Sequence, residues 1–107
     1  MRDARAAENE SLFRSLNETL VLGRQTYDPE TKRVACLCEC KNEDCFERIW
    51  LARDEYEPVR ANARRFIVSP GHVDPNEETT VLAKDRYVVV EKIGEAGVVA
   101  EELDPRP

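Results

Sequence analysis

Four cysteines lie within ten positions of the chain, in the segment VACLCECKNEDCFERIW at residues 34–50. Thiols this close together can form a disulfide, a redox pair, an activated nucleophile or a metal site. A cytosolic redox pair usually has Cys-x-x-Cys before a helix, and that spacing is absent here. A cysteine nucleophile needs a histidine base but not several neighbouring thiols. The spacing therefore favours a metal site, with ordinary thiols as the alternative.

Zinc is the metal that these ligand types fit best. Zn²⁺ takes four cysteine or histidine ligands in a tetrahedron, with sulfur at about 2.3 Å and nitrogen at about 2.0 Å. Alternation along an extended chain puts Cys38 and Cys40 on one side, and the polar loop KNED lets Cys45 meet them. This C-x-C-x4-C pattern resembles the zinc knuckle that follows the catalytic domain of SET methyltransferases. The resemblance covers eight residues and implies the metal, not the activity.

The fourth ligand is predicted to be His72, with Cys36 as the alternative. In an extended strand Cys36 would lie about 13 Å from Cys40, at a rise of about 3.3 Å per residue, which is too far for one ion. His72 is the one histidine of the sequence and follows Pro-Gly in the predicted turn SPGH. We therefore predict that Cys38, Cys40, Cys45 and His72 bind one structural Zn²⁺. Four protein ligands close a zinc site, whereas three would leave a position for a catalytic water.

Length and charge limit the classes of function. A chain of 107 residues suits one domain, and a domain this small gains from a bound metal. The net charge is −6, and residues 73–107 hold nine acidic but only four basic side chains, which argues against nucleic-acid binding. No segment has the roughly 18 apolar residues of a membrane span. The first twenty residues lack a signal-peptide core, so we expect a cytoplasmic protein with reduced thiols.

Hydrophobic periodicity predicts a small single domain of the α+β class around one structural zinc. Residues 1–24 are predicted to hold an amphipathic helix, over 4–22, packed on or next to a zinc-stabilised domain at 25–107. Residues 94–103 fit either a short helix or a strand. The other predicted elements begin with a turn over 26–33 and a hairpin with strands 34–38 and 46–51. A middle helix over 53–65 follows, with a start near Pro58 as the alternative. The last are a short strand 66–68 and a second hairpin with strands 80–83 and 86–93.

Two surfaces are candidates for binding a partner. Leu12, Phe13, Leu16 and Leu20 form one apolar stripe at helical spacing. We favour a core face for this stripe, with docking on another chain as the alternative. Trp50 alternates along its strand with Ile49 and Leu51. If these two residues face the core, Trp50 is exposed and is a candidate binding hot spot. We favour the alternative, in which Trp50 packs against the N-terminal helix. The candidate partner-binding residues are Trp50, Leu12, Phe13 and Leu16.

Three longer stretches extend the pattern beyond the cysteines: ENESLFRSLNE, CECKNEDCFERIWLARDEYEPVRANARRFIVSPGH and DRYVVVEKIGEAGVVAEELDPR. They resemble a group of small, uncharacterised actinobacterial proteins over most of the chain. The resemblance implies one ligand set of three cysteines and the histidine, with Cys36 outside it, and it implies no activity. The chain departs from the group's pattern at Ala52 and Pro58, and both departures concern the start of the middle helix.

We therefore predict a small cytoplasmic zinc-binding protein that works as a protein-interaction or regulatory module. Its partner would be another protein or a second copy, and neither a membrane nor nucleic acid is expected. A zinc-thiolate redox sensor and a metal-dependent hydrolase with an open zinc are the alternatives. A hydrolase would need a base, and the nearby Glu39, Glu43 and Asp44 are predicted to be solvated loop charges. No catalytic motif is recognisable, so we predict no catalytic residues.

Overall fold

The structure is a computed structural model that describes residues 4–23 and 27–106. Within these residues it has three helices and two three-stranded antiparallel sheets, which confirms the predicted α+β class. The predicted boundary between residues 24 and 25 lies outside the described residues. The elements are α1 (Ala4–Gly23), β1 (Tyr27–Asp28), β2 (Arg33–Leu37), β3 (Arg48–Ala52), α2 (Arg53–Arg60), β4 (Arg65–Val68), β5 (Glu78–Ala83), β6 (Val88–Lys92) and α3 (Gly94–Glu102).

Each predicted hairpin supplies two of the three strands of one sheet. The first sheet has the order β1-β2-β3, with Cys36 opposite Ile49 in the β2–β3 pair. The short strand β1 lies in a segment that was predicted to be a turn. The second sheet has the order β4-β6-β5, and a register shift between Thr80 and Leu82 marks a bulge in its edge strand. One apolar core contains buried side chains from both sheets, including Ile49, Val68 and Val90.

The middle helix is shorter than predicted. It begins at Arg53 and ends at Arg60, with Pro58 inside it. At its start the Glu55 carboxylate accepts a hydrogen bond of 2.9 Å from the Ala52 backbone N–H, which is one half of a capping box. Proline lacks the N–H for a helical hydrogen bond, and the helix ends within one turn of it. The prediction of a helix to residue 65 is therefore wrong at its C-terminal end.

The C-terminal segment, which fitted a helix or a strand, forms helix α3. Gly94 starts it with φ of +57°, a left-handed conformation that glycine adopts most easily. A Cβ on Gly97 would lie 2.9 Å from the Lys92 carbonyl oxygen, so a glycine lets α3 approach β6 closely. The two glycines that left the prediction open therefore have positional roles at the start and the contact face of a helix.

The predicted apolar stripe of α1 faces the core only in part, because the inward side of the helix is mixed in polarity. Phe13 is buried and Leu20 packs against the core, whereas Leu12 and Leu16 are 54% and 42% exposed, so the prediction is wrong for these two leucines. Glu10, Arg14 and Asn17, on the other side of the helix, are buried. No helix among the described residues is long and apolar enough to cross a bilayer.

Buried charges hold α1 against the second sheet and α3. Glu10 accepts a hydrogen bond from the Lys92 ammonium, which also binds Glu78, and all three side chains are buried. The Arg14 guanidinium donates to the Ala63 and Ala100 carbonyl oxygens at 2.6 and 2.8 Å. It also stacks over the Phe66 ring at 4.3 Å from the centroid. Burial of charge is tolerated here because each ion has partners.

A second ionic group fixes the C-terminal half of α1. The Glu18 carboxylate accepts hydrogen bonds from Arg60 and from Arg106, and Arg60 also pairs with Asp104. Burial raises the pKa of Glu18, but the hydrogen bonds from Arg106 and Arg60 outweigh it, so the net pKa is lowered. These contacts join α1 to α2 and to the residues after α3.

Candidate metal centre

The predicted metal ligands come from two loops that meet beside α1. Cys38 and Cys40 follow β2 directly, and Cys45 lies near the end of the loop that leads to β3. The Cys38 N–H donates to the Glu47 carbonyl oxygen at 3.0 Å, which continues the hairpin pairing beyond β2. The Cys45 N–H donates to the Asn42 carbonyl oxygen at 3.0 Å, which turns the loop back. The loop therefore brings the third thiol to the other two.

Cys38, Cys40, Cys45 and His72 lie together in the arrangement of a metal site. Their four ligand atoms all lie within 4.8 Å of one another. The His72 Nδ1 atom lies 3.6 Å from the Cys38 sulfur and 3.7 Å from the Cys45 sulfur. Bond lengths of about 2.3 Å to sulfur and 2.0 Å to nitrogen give a tetrahedral edge of about 3.5 Å between them. The four residues can therefore hold one metal ion.

Cys36, the alternative fourth ligand, does not belong to this group. It is fully buried on β2, opposite Ile49, in the apolar core. Burial first, and the charge of Glu39 second, raise the pKa of its thiol to about 12. Cys36 is therefore an inert core side chain, as expected for a buried free cysteine away from a cation.

The turn after β4 supplies the histidine. The His72 N–H donates to the Ser69 carbonyl oxygen at 3.0 Å, and Gly71 has φ of +86°. A turn with proline at its second position and a left-handed glycine at its third is of type II. The Ser69 N–H donates to the Cys38 sulfur at 3.2 Å. The same turn therefore presents the imidazole and stabilises negative charge on a thiolate.

Glu47 is a carboxylate beside the candidate metal centre that the sequence analysis missed. Its Oε2 lies 2.7 Å from His72 Nε2, so the imidazole is oriented with Nδ1 toward the sulfurs. Histidines that bind metals usually donate their other ring N–H to a carboxylate or carbonyl, which fixes the tautomer. The available signal was the position of Glu47 two residues after Cys45, on the hairpin that carries the thiols.

The prediction that Glu39 is a solvated loop charge is wrong, whereas Glu43 and Asp44 are exposed as predicted. Glu39 is 1% exposed; its Oε1 accepts the Ile67 N–H at 2.9 Å and its Oε2 accepts the Asn17 side-chain amide at 2.7 Å. Its own N–H donates to the Ile67 carbonyl oxygen at 2.8 Å. Burial raises the pKa of Glu39 to about 7 although these hydrogen bonds lower it.

Helix α1 covers the loop that carries the cysteines. The Asn17 amide accepts the Leu37 N–H at 2.7 Å and donates to the Leu37 carbonyl oxygen at 2.8 Å. Beyond the end of β1, the Asn17 side chain therefore makes the two hydrogen bonds to β2 that a neighbouring strand would make. The Asn9 amide donates to the Cys40 carbonyl oxygen at 3.3 Å. The ring of Phe46 lies 5.8 Å from that of Phe13.

The electrostatics of the thiols favour a bound cation. A hydrogen bond between the Cys38 and Cys40 sulfurs lowers the pKa of Cys40 to about 5, and burial opposes this effect. The same bond, together with burial, raises the pKa of Cys38. Burial also raises the pKa of Cys45. The negative charge therefore lies on the Cys40 sulfur, and a divalent cation beside it would neutralise that charge. A groove of about 340 Å³ lies beside Cys40 and His72 and is bordered by the Lys41–Asp74 ion pair.

The candidate partner-binding residues lie outside this centre. Trp50 is 42% exposed, and its strand neighbours Ile49 and Leu51 are buried on the other face. Leu12 and Leu16 are also exposed, whereas Phe13 is buried and does not present a surface by itself.

Comparisons of the chain with protein-family models, with curated proteins and with solved structures found no match. The resemblance to small actinobacterial proteins stays a prediction.

Proposed function

We propose that this chain is a zinc-stabilised interaction module and that Cys38, Cys40, Cys45 and His72 bind one Zn²⁺. The observation that carries the proposal is the convergence of four ligand atoms within 4.8 Å of one another, with the imidazole nitrogen 3.6 and 3.7 Å from two of the sulfurs. Three thiolates and one imidazole suit zinc, whereas hard cations prefer oxygen ligands. Four protein ligands would leave no position for a reacting water, so the ion would be structural.

The proposed ion would join parts of the chain that are far apart in sequence. It would tie the loop between β2 and β3 to the turn after β4, and so the first sheet to the second. A domain of this size buries a modest part of its surface, and metal binding adds directly to its folding free energy. The buried Glu39 carboxylate, already hydrogen-bonded to two partners, is not free to act as a base beside the metal. These features support a scaffold rather than a hydrolase.

The interaction role is supported by the surface of α1. The helix is anchored by its polar side and leaves leucines in solvent. Water-exposed apolar side chains at helical spacing are a feature of surfaces that bind other proteins.

Native mass spectrometry with metal analysis tests the zinc site. We expect one zinc per chain in the wild type, loss of zinc in His72→Ala, and full retention in the matched control Cys36→Ala. A wild type purified under reducing conditions without zinc, and unable to bind added zinc, would rule out the proposal. Loss of zinc in Cys36→Ala with retention in His72→Ala would reassign the fourth ligand.

A zinc-thiolate redox sensor is the second candidate, because the groove beside Cys40 and His72 gives small oxidants a route to the site. In such a sensor two zinc-bound thiolates would form a disulfide and release the ion, while hydrogen peroxide and two protons would become two waters. Rapid zinc release by mild peroxide that a thiol reductant reverses would support this function. An ion that stays bound under the same treatment would exclude it.

A further inference from the structure

The segment between β2 and β3, residues 38–47, forms neither helix nor strand and carries three of the four candidate metal ligands. We call it the ligand loop. Its backbone is held by the bond from Cys38 to the Glu47 carbonyl oxygen and by the pairing of Glu39 with Ile67. Irregular segments with few backbone hydrogen bonds open at a lower free energy than sheets do. A bound ion would therefore supply much of the free energy that keeps the ligand loop in one conformation.

Helix α1 contacts the ligand loop beside each of its three thiols. The Asn17 amide donates a hydrogen bond of 2.7 Å to Glu39, which lies between the first two cysteines. The Asn9 amide donates to the carbonyl oxygen of the second cysteine at 3.3 Å. The ring of Phe13 lies 5.8 Å from that of Phe46, which directly follows the third cysteine. The loop conformation that gathers the thiols is therefore also the one on which α1 docks.

The second set of α1 contacts consists of ion pairs with residues outside the ligand loop. Glu10 pairs with Lys92 of β6, and Glu18 pairs with Arg60 of α2. Water can solvate these charged groups once they separate, so a helix held in this way undocks at a lower cost than one held by apolar contacts alone. Loss of the first set of contacts would therefore leave α1 with a docking mode that water can replace.

We propose that occupancy of the metal site controls the docking of α1, so that release of the ion lets α1 detach while the second sheet stays folded. This deepens the proposed function by naming a regulation of the interaction module, and it rests on the proposed zinc site. Detachment would uncover the buried side of α1, with Glu10, Arg14 and Asn17, and the part of the ligand loop that α1 covers. Because the linkage is reciprocal, docked α1 strengthens zinc binding by the same factor by which zinc strengthens docking, typically about 5- to 150-fold.

Hydrogen–deuterium exchange measured by mass spectrometry tests the proposal on the full chain, with zinc bound and after removal of zinc by a chelator under reducing conditions. Amides of α1 should exchange about 5- to 150-fold faster without zinc, whereas amides of β6 should keep their protection. Unchanged exchange of α1 in a chain that does bind zinc would overturn this inference and leave the zinc proposal standing. Equal loss of protection in α1 and β6 would also overturn it, because the ion would then hold the whole fold. A wild type that binds no zinc would overturn both proposals.

Two variants with an exposed aromatic side chain removed test whether the ligand loop carries the coupling. Phe46→Ala should speed exchange of α1 in the zinc-bound protein about 2- to 12-fold, the range that an aromatic pair supplies, and should change little without zinc. Trp50→Ala is the matched control, because Trp50 is also exposed but lies on β3, outside the ligand loop. Circular dichroism and metal content on the same samples show that each variant is folded and loaded. Equal effects of the two substitutions on α1 would overturn the proposal.

Discussion

Replacing Asn17 by alanine would remove the three hydrogen bonds by which one side chain holds the end of β2. The amide of Asn17 serves the Leu37 N–H, the Leu37 carbonyl oxygen and the Glu39 carboxylate, all at 2.7–2.8 Å. Alanine would leave these groups without their protein partner, and two of the three belong to backbone that α1 covers. An unsatisfied buried polar group costs about 1–3 kcal/mol, so we expect a loss of about 3–5 kcal/mol after partial access of water.

That loss is large for this chain. At about 0.05–0.15 kcal/mol per residue, 107 residues give an unfolding free energy of about 5–15 kcal/mol. Urea denaturation at neutral pH, with the metal content of each sample held equal, measures the difference as a shift of the midpoint. Asn17→Ala should therefore unfold at a clearly lower urea concentration than the wild type, or fail to fold at all.

Asn9→Ala is the matched control on the same helix. The Asn9 amide makes one half-buried hydrogen bond of 3.3 Å to Cys40, so its loss should cost only about 0.5–1.5 kcal/mol. Asn17→Asp should not rescue stability, because a second carboxylate would then face Glu39 at hydrogen-bond distance. A cost for Asn17→Ala no greater than that for Asn9→Ala would refute the assignment of Asn17 as the group that replaces a strand beside β2.

Two further predictions concern carboxylates. Glu47→Ala should weaken zinc binding by about 10- to 100-fold in a chelator competition, because His72 loses the partner of its Nε2 atom. Glu43→Ala, in the same loop, is the control and should bind zinc like the wild type. Equal affinities of the two variants would contradict the role of Glu47 in orienting His72. Because its pKa is lowered in the folded state, the ionised Glu18 carboxylate stabilises the fold at pH values above the ordinary carboxyl pKa. This stabilisation is lost as the pH falls through the folded-state pKa. Glu18→Gln should therefore lose less stability than the wild type on acidification below about pH 4.5 in urea titrations, and parallel losses would count against the ionic group around Arg60 and Arg106.

The cluster of candidate metal ligands was predictable because its signal is local. Cys38, Cys40 and Cys45 are joined by one loop, and the distance argument against Cys36 needed only the rise of a strand. The turn that carries His72 was readable from Pro-Gly, although its approach to the thiols depends on the pairing of Glu39 with β4. Local spacing therefore identified the four residues, and the tertiary fold brings them together.

The orientation of α1 was not predictable by the same means. Hydrophobic periodicity assumes that an apolar stripe faces the core, and here Leu12 and Leu16 face solvent. The ions that hold the buried side of α1 come from positions 60, 92 and 106, which no local pattern links to residues 10–18. Pairing of charges across such sequence distances appears only when the helices and sheets are assembled.

Glu39 connects the metal centre to the docking of α1. Alternation along the C-E-C segment directs Cys38 and Cys40 to one side and the residue between them to the other. Glu39 there binds Ile67 of β4 and Asn17 of α1, so the backbone that places two sulfurs also places α1. Phe46, next to Cys45, adds an aromatic contact to the same helix. A bound ion would therefore hold both the thiols and the loop on which α1 docks in one conformation.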